Sequence, residues 1–276
     1  MRFAVIGIQG MFGSEMVLFL KSQGQQVQGF NRENINLDSS IDVMAAKLSG
    51  FDVVINAVGY TAVDKAEAEP EIANRVNGEY PDKLAKVSKR LDARFFHIST
   101  DYVFDGLATT PYKTNHPRNP QGAYGRSKAM GEELVEESGA DYTIFRTAWL
   151  YGSHGRCFPK VIFEKAAEGE HLRVVNDQFG QPTWTKDLAA QIFAFSRLST
   201  RPRIVHAVAS GKASWFEFAT EVVGDYQVEP VSTDEFVTAA KRPAFSVLDN
   251  SSQLVEPIGD WRERWQQAKT EVLNRR

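Results

Sequence analysis

The chain has a single cysteine among its 276 residues. Cys157 alone can form neither an internal disulfide nor a cysteine-based metal cluster, and such sparse cysteine is typical of a reducing compartment. The sequence also lacks an apolar run long enough to cross a membrane, and the run after Met1 is too short for a secretion signal. We therefore expect a cytoplasmic protein with no membrane partner.

An excess of charge of one sign is also missing. The 32 Lys and Arg against 35 Asp and Glu give a formal net charge of -3, which argues against nucleic acid as the main partner but not against small anionic ligands. Repeats, low-complexity segments and linkers are not evident. A chain of this length buries about three quarters of its unfolded surface, so one large domain or two interleaved ones are both compatible with it.

The N-terminal stretch has the pattern of a dinucleotide-binding loop. A strand-length apolar run over Phe3 to Ile8 is followed by a helix that reaches about Gln23, and three glycines spaced three apart mark the turn between them. Such a turn lets the backbone approach a pyrophosphate at a helix N-terminus. The alternative is a tight turn without a ligand. The predicted cofactor contacts here are Gly7, Gln9, Gly10, Met11, Phe12 and Gly13.

The second predicted strand, Gln26 to Phe30, ends in Asn31 and Arg32. An NAD enzyme would carry an acid there to bind the ribose 2′-hydroxyl, whereas an arginine suits a 2′-phosphate. We therefore predict NADP(H), with NAD(H) as the alternative cofactor and a solvated loop as the alternative role of Arg32. Asp38 is a candidate neighbour of the adenine or, alternatively, a helix cap.

A third strand, Asp52 to Ala57, follows a helix around Val43 to Leu48. Small side chains after it would let the nicotinamide ribose lie against the backbone, and the cofactor contacts predicted there are Gly59, Tyr60 and Thr61. Most of the charges that follow, Asp64, Lys65, Glu67 and Glu69, are expected on a solvated face. The order of elements predicts an α/β fold with a doubly wound parallel Rossmann sheet.

The residues that suggest chemistry lie between Phe96 and Lys128. An apolar run ends at Ser99 and Thr100, where open α/β sheets place ligands. Tyr124 and Lys128 are four residues apart at the start of a predicted helix, so they share one face. Of the eight tyrosines, only Tyr124 has a lysine four residues on.

Lowering a tyrosine pKa from about 10 to about 7 takes roughly 4 kcal/mol. An ammonium about 4 Å away at an effective dielectric near 20 supplies roughly that amount. We therefore predict that Lys128 makes Tyr124 a usable proton donor to a carbonyl oxygen, with Thr100 holding the same oxygen. The alternative is an accidental tyrosine-lysine spacing on a helix.

The later part of the chain offers isolated candidates. Trp149 and Tyr151, after a strand from Tyr142, could stack on a base or sugar or belong to the core. The pair Lys241 and Arg242 could bind a diphosphate or lie on the surface. We predict a nucleotide-binding Rossmann domain over 1–153, to which 186–209 return, and a smaller substrate-binding part formed by 154–185 and 210–276.

The sequence resembles the extended short-chain dehydrogenase/reductases, and within them the dTDP-4-dehydrorhamnose reductase family, over nearly its full length. The Tyr124-Gly125-Arg126-Ser127-Lys128 step marks only the superfamily, while the runs 61–67 and 99–104 are specific to this branch. The resemblance also rests on the glycine loop and on Phe145–Trp149, Gly180–Thr183, Arg242-Pro243 and Ser246–Asp249.

The resemblance implies an NADP(H)-dependent oxidoreductase that reduces the C4 keto group of a dTDP-sugar. Thr100 and Tyr124 would bind the carbonyl, Tyr124 would give the proton, and Lys128 would hold the nicotinamide ribose. The implied substrate contacts are Val63, Thr100, Asp101, Tyr102, Tyr124, Trp149 and Arg242. The expected assembly is a monomer or a homodimer.

Departures from the family keep other readings open. Cys157 and the segment 113–117 differ from the usual residues near the sugar, and Glu15 matches a metal position without identifiable partners, so we predict no required metal. The alternatives are a reductase, epimerase or dehydratase acting on another nucleotide sugar. A non-catalytic NADP-binding regulatory subunit is a further alternative, although the chain keeps both Tyr124 and Lys128.

Overall fold

The computed structural model describes residues 1–224, 226, 228–251 and 254–274. The strands are β1 (Arg2–Ile6), β2 (Gln26–Phe30), β3 (Val53–Asn56), β4 (Arg94–Thr100), β5 (Tyr142–Thr147), β6 (Leu150–Tyr151), β7 (Leu172–Val175), β8 (Phe179–Gly180), β9 (Thr183–Trp184), β10 (Ile204–His206), β11 (Ala209–Ser210), β12 (Ala213–Ser214), β13 (Val228–Val231) and β14 (Ile258–Asp260).

The α-helices are α1 (Met11–Ser22), α2 (Ile41–Leu48), α3 (Val63–Ala68), α4 (Pro70–Asn74), α5 (Tyr80–Arg90), α6 (Ala123–Glu137), α7 (Phe158–Ala167), α8 (Thr185–Ser196), α9 (Trp215–Val223) and α10 (Trp261–Asn274). A π-helical turn, Arg75–Glu79, joins α4 to α5, and short 3-10 turns occupy Asp101–Val103 and Thr233–Glu235. No described helix combines the length and the apolar character that a membrane span requires.

A six-stranded sheet organises the chain, in the order β10-β5-β4-β3-β1-β2. Every neighbouring pair in it is parallel. The chain leaves β1 for β2 on one side and returns to β3 on the other, so the winding direction reverses between β1 and β3. In open α/β sheets, ligands bind at such a reversal, beyond the carboxyl ends of the strands. The predicted doubly wound Rossmann sheet is confirmed.

Alternation along the strands explains why helices cover both faces. Ala4 and Ile6 of β1 pack with buried residues of α2, α5 and α6. Phe3 and Val5, on the opposite face, pack with buried residues of α1 and α8. Successive side chains of a strand point to opposite faces, so an unbroken apolar strand is buried on both sides, as parallel sheets require.

A second apolar core lies in the later part of the chain. Tyr151 and Cys157 pack there with buried residues of α9 and α10, among them Phe218, Trp261 and Trp265. The tail from Trp261 forms α10 and buries residues three or four apart, which is the spacing of an amphipathic helix. The division into 1–153 with 186–209 and a separate substrate-binding part stays a prediction.

Candidate active site

The sheet brings most of the predicted catalytic and substrate-binding residues to one cleft of about 530 Å³. Its wall combines the glycine loop after β1, the ends of β4 and β5, and the start of α6. The cleft is lined by the predicted residues Gly10, Met11, Phe12, Gly59, Thr61, Val63, Thr100, Asp101, Tyr102, Tyr124, Lys128, Trp149 and Arg242. Predicted residues from six separate stretches of sequence therefore meet at the carboxyl edge of the sheet.

A second cleft, of about 500 Å³, continues from the first on the β2 side of the sheet. It shares Gly10 and 57–59 with the first cleft. The predicted residues that line it are Gly7, Gln9, Gly10, Asn31, Arg32, Asp38 and Gly59. Gly13 and Tyr60, also predicted to contact the cofactor, line neither cleft. Because they share Gly10 and 57–59, the two clefts together form one trough beside the glycine loop, which is where a Rossmann sheet binds a dinucleotide.

The three loop glycines have different physical reasons to be glycine. Gly7 has φ +95°, which disfavours any side chain. A Cβ on Gly13 would lie 2.2 Å from the Gly7 carbonyl oxygen, so Gly13 allows helix and loop to pack closely. A Cβ on Gly10 would meet no protein atom nearer than 3.4 Å, yet Gly10 borders both clefts. The absent side chain at Gly10 leaves room for a ligand rather than for the protein.

The loop after β2 presents Arg32 to the second cleft. The Asn31 side chain accepts the backbone N–H groups of Glu33 at 3.0 Å and Asn34 at 3.3 Å, which fixes a tight turn. Arg32 lines the cleft from this turn, where no acid follows β2 directly. An arginine at this position, with no acid directly after β2, fits the 2′-phosphate of NADP better than a free ribose hydroxyl.

Asp38 is held within the protein. Its carboxylate pairs with Arg75 at 2.5 Å and accepts the Tyr80 hydroxyl at 2.9 Å, and these two hydrogen bonds lower its pKa. The alternative role of Asp38 as a helix cap is wrong, because the Ser40 side chain accepts the Val43 N–H at the start of α2. Asp38 therefore shapes the wall of the second cleft.

Thr100, at the end of β4, is hydrogen-bonded to residues of the turn that follows it. The Thr100 hydroxyl donates to Asp101 Oδ1 at 2.8 Å, and the nearby Thr100 hydroxyl lowers the pKa of Tyr124. Burial raises the pKa of Asp101 to about 6, although the nearby hydroxyl groups of Ser246 and Thr100 lower it. The Tyr102 N–H donates to Thr100 Oγ1 at 3.3 Å, which places the 3-10 turn directly after β4.

The predicted effect of Lys128 on Tyr124 is wrong. Burial raises the pKa of Tyr124 to about 12, and the Asp101 carboxylate raises it too, while the nearby Thr100 hydroxyl lowers it. Lys128 is not among the groups that shift the pKa of Tyr124, and its Nζ donates to the Ile98 carbonyl at 2.6 Å. Burial lowers the pKa of Lys128 to about 8, against the charge of Glu132.

Glu132 is a buried partner that the sequence analysis missed. Its carboxylate accepts Arg146 at 2.7 Å, Arg118 at 2.9 Å and the Ser99 hydroxyl at 2.5 Å. The Ser99 hydroxyl is thus engaged inside the protein, while Thr100 faces Tyr124. Glu132 lies one turn after Lys128 on α6, a spacing of four that the sequence already contained.

Trp149 packs between the ring of Trp215 and the backbone of Gly180. Its ring stacks on Trp215 with centroids 3.5 Å apart, and a Cβ on Gly180 would meet the ring at 2.4 Å. The backbone of Trp149 is left-handed, with φ +44°, a strain typical of functional positions. Trp215 lines the cleft beside Trp149, and the sequence analysis did not identify it.

Tyr151 is buried against Phe218 and Trp265 in the second core and does not line the cleft.

Of the charges after β3, predicted to lie mostly on a solvated face, Asp64 and Glu67 are half-buried against the site, whereas Glu69 is exposed as predicted. Asp64 pairs with Arg242 at 2.6 Å. Glu67 accepts the Ala123 N–H at 2.7 Å at the start of α6, and Glu69 accepts the Tyr60 hydroxyl at 2.6 Å. Lys65 is exposed as predicted. Lys241 is exposed, whereas Arg242 reaches the cleft.

Glu15, considered for a metal site, is buried on α1. Within the described ranges, no group of three His, Cys, Asp or Glu residues is placed so that it could hold a metal ion.

Comparisons with known proteins agree over the whole chain. The family model of the RmlD substrate binding domain matches residues 1–276. The chain is 37% identical to the spore coat polysaccharide biosynthesis protein SpsK of Bacillus subtilis, over 100% of this chain and 98% of that protein. It is 38% identical to the probable dTDP-4,6-dihydroxy-2-methyloxan-3-one 4-ketoreductase of Streptomyces antibioticus, over 99% and 96% respectively.

A solved structure shows the same fold. The crystal structure of dTDP-4-dehydrorhamnose reductase from Bacillus anthracis in complex with NADP superposes with a TM-score of 0.93 at 31% identity, covering 98% of this chain and 99% of that one.

Proposed function

The chain belongs to the family of the RmlD substrate binding domain, and we propose that it is an NADPH-dependent reductase that converts the C4 keto group of dTDP-4-dehydro-L-rhamnose to the alcohol of dTDP-L-rhamnose. The observation that carries this proposal is the meeting of Thr100, Tyr124 and Lys128 with the glycine loop in one cleft. A relative at 31% identity binds NADP and bears the name of this reductase.

The trough formed by the two clefts would hold the cofactor. Gly10 leaves room for the pyrophosphate, Arg32 would pair with the 2′-phosphate, and Gly59 and Thr61 would border the nicotinamide ribose. The start of α1 carries no acidic side chain in its first turn and no side-chain cap, so its N–H groups suit a phosphate. When bound, the reduced nicotinamide supplies hydride.

The protein's part in the reaction is to hold the ketone and protonate its oxygen. Tyr124 would donate its hydroxyl proton to the carbonyl oxygen, and Thr100, which lines the same cleft, would hold that oxygen by a hydrogen bond. Lys128 stays charged at neutral pH because its pKa is about 8, and its ammonium would bind the ribose hydroxyls. Proton donation of this kind is worth roughly 100- to 10,000-fold in rate.

The remaining cleft wall would hold the nucleotide sugar. Trp149 and Trp215 offer an aromatic surface for a base or sugar ring, and Arg242 offers a guanidinium for a diphosphate. Val63, Asp101 and Tyr102 complete the substrate wall. We propose that the substrate-binding part comprises 154–185 and 210–276, and that the protein works in the cytoplasm as a monomer or homodimer.

The relative from Streptomyces antibioticus favours a second candidate substrate, because its printed name describes 4-keto reduction of a different dTDP-sugar. Both candidates require the same cleft and differ in the sugar alone.

The test is to incubate the protein with NADPH and each of several dTDP-4-keto-6-deoxy sugars, and to quantify both cofactor and sugar products. We expect one NADPH oxidised per sugar reduced, with dTDP-L-rhamnose as the product of the favoured substrate. Conversion of a sugar without net cofactor oxidation would indicate an epimerase or dehydratase. Cofactor binding without any sugar conversion would indicate a non-catalytic subunit.

A further inference from the structure

The carboxylate of Asp64, on α3, is bonded to a segment from the C-terminal part of the chain. Its Oδ2 accepts Arg242 Nη2 at 2.6 Å, and its Oδ1 accepts the Ala240 N–H at 3.0 Å. Arg242 Nη1 also donates to the Ala240 carbonyl at 3.4 Å. Asp64 therefore holds both the guanidinium of Arg242 and the backbone two residues before it.

Arg242 lies where two cavities meet. One is the catalytic cleft of about 530 Å³, and the other is a smaller cavity of about 230 Å³. Tyr102 and Arg242 line both cavities, and the smaller one is also lined by Phe104, Leu107 and Pro243. A nucleotide sugar has two bulky ends joined by a diphosphate. A guanidinium between two cavities is therefore placed to bind the joining group.

The ion pair with Asp64 leaves Arg242 able to bind an anion. A guanidinium carries five N–H donors, and the bonds described for Arg242 go to Asp64 and to the Ala240 carbonyl. A free arginine side chain loses conformational freedom when it binds an anion, whereas a side chain that is already held loses less. Asp64 thus prepares Arg242 for a ligand.

We propose that Asp64 is a positioning residue for substrate binding, which holds Arg242 at the junction of the two cavities so that its guanidinium binds the diphosphate of the nucleotide sugar. This inference rests on the proposed function, which supplies the class of substrate. Asp64 acts through Arg242, because the described residues that line the two cavities include Arg242 but not Asp64.

The charge of Asp64 and its hydrogen bonds act on a bound diphosphate in opposite directions. The negative charge repels the diphosphate, so removal of the charge alone would strengthen binding. Loss of the bonds would release Arg242 and weaken binding. The Asp64 side chain is 45% exposed, so solvent and salt screen its charge, and we expect the bonds to decide the sign.

The first test is Asp64→Asn, which keeps the size of the side chain but has one acceptor oxygen in place of two. Isothermal titration with dTDP, which carries the diphosphate without the reacting sugar, should give an affinity roughly 5- to 10-fold below wild type. NADPH affinity should be unchanged, and KM for the keto sugar should rise much more than kcat falls. Unchanged or tighter dTDP binding would overturn the inference.

The second test is a double-mutant cycle with Arg242→Gln, each variant first shown by thermal melting to be folded. Because Asp64 acts through Arg242, Asp64→Asn should cause no further loss of dTDP affinity when Arg242 is already replaced. The same loss in both backgrounds would indicate a general structural role and overturn the inference. A wild-type protein that binds dTDP but oxidises no NADPH with any keto sugar would overturn the proposed function instead.

Asp187→Asn is the matched control. Asp187 Oδ2 accepts Arg264 Nε at 2.8 Å, so this variant also loses an Asp–Arg pair, between α8 and α10, and neither residue lines the two cavities. Its stability should fall, while its dTDP affinity should equal that of wild type. A loss of dTDP affinity as large as that of Asp64→Asn would contradict a specific role of Asp64.

Discussion

The carboxylate of Glu67 accepts the backbone N–H of Ala123 at 2.7 Å, across 56 residues of sequence. Through this bond a side chain of α3 caps the helix that carries Tyr124 and Lys128. The helix has no capping side chain of its own, because Gly122 occupies the cap position and a Cβ there would lie 2.8 Å from Glu67. The acidic segment after β3 thus positions the catalytic helix.

Glu67→Ala should lower the free energy of unfolding by about 1 kcal/mol, the usual cost of losing an N-cap. It should also reduce kcat, since small displacements of Tyr124 from the reacting oxygen are costly. Thermal denaturation and initial rates measure the two effects. Lys65→Ala, at an exposed position on the same helix, is the control, and equal losses in both variants would exclude the capping role.

Gly10→Ala and Gly13→Ala should separate ligand binding from folding. Gly10→Ala should fold with stability near wild type, because its Cβ would meet no protein atom nearer than 3.4 Å. It should bind NADPH far more weakly, because the Cβ would occupy space proposed for the pyrophosphate. Gly13→Ala should be strongly destabilised, because its Cβ would lie 2.2 Å from the Gly7 oxygen. Thermal melts and cofactor fluorescence titrations distinguish them. Wild-type NADPH affinity in Gly10→Ala would contradict the placement of the pyrophosphate.

Arg32→Ala should weaken NADPH binding much more than NADH binding, because only NADPH carries the 2′-phosphate that Arg32 would contact. Isothermal titration with both cofactors gives the two affinities. Lys21→Ala, which removes an exposed positive charge at the end of α1, controls for long-range charge effects. Equal weakening of both cofactors by Arg32→Ala would remove the reason for preferring NADP(H).

Glu132→Gln should destabilise the protein by about 3–5 kcal/mol at neutral pH, because it leaves Arg146 buried without its charge partner. Burial raises the pKa of Glu132, but the Arg146, Ser99 and Arg118 hydrogen bonds hold it below its ordinary value. A lowered folded-state pKa gives stability above the unfolded pKa that is lost as pH falls through the folded pKa. The difference in the free energy of unfolding between Glu132→Gln and wild type should therefore become smaller in acid.

Urea denaturation from pH 7 down to pH 3 measures that difference. Glu133→Gln is the control, because its side chain is 57% exposed on the same helix and its only described ion pair, with Arg118, is 3.7 Å long. A difference in unfolding free energy that stays constant across this range would show that the ionisation of Glu132 does not contribute to stability.

The strands were predictable from sequence because their signal is local. The strand Gln26–Phe30 has the bounds predicted from the sequence. The strand predicted from Asp52 to Ala57 is shorter, at Val53–Asn56. The meeting of the glycine loop with Tyr124 also followed from sequence, since parallel strands end at one edge of the sheet.

The roles of charged side chains were not predictable, because their partners are distant in sequence. Asp64 meets Arg242 across 178 residues, and a run of acids gives no local sign of such a partner. The prediction of a lowered pKa for Tyr124 was wrong for another reason. A spacing of four places Lys128 on the same helix face but does not fix the position of its ammonium group, which donates to the Ile98 carbonyl. Burial is then the largest influence on the phenol and raises its pKa.

The central claim is that the Tyr124 hydroxyl protonates a ketone beside a bound nicotinamide, and Tyr124→Phe tests it most directly. The measurement is NADPH oxidation by wild type and variant with a dTDP-4-keto-6-deoxy sugar, each enzyme first shown to bind NADPH. The account predicts an unchanged NADPH affinity and a kcat lower by roughly 100- to 10,000-fold in the variant. Turnover within a few-fold of wild type would contradict it.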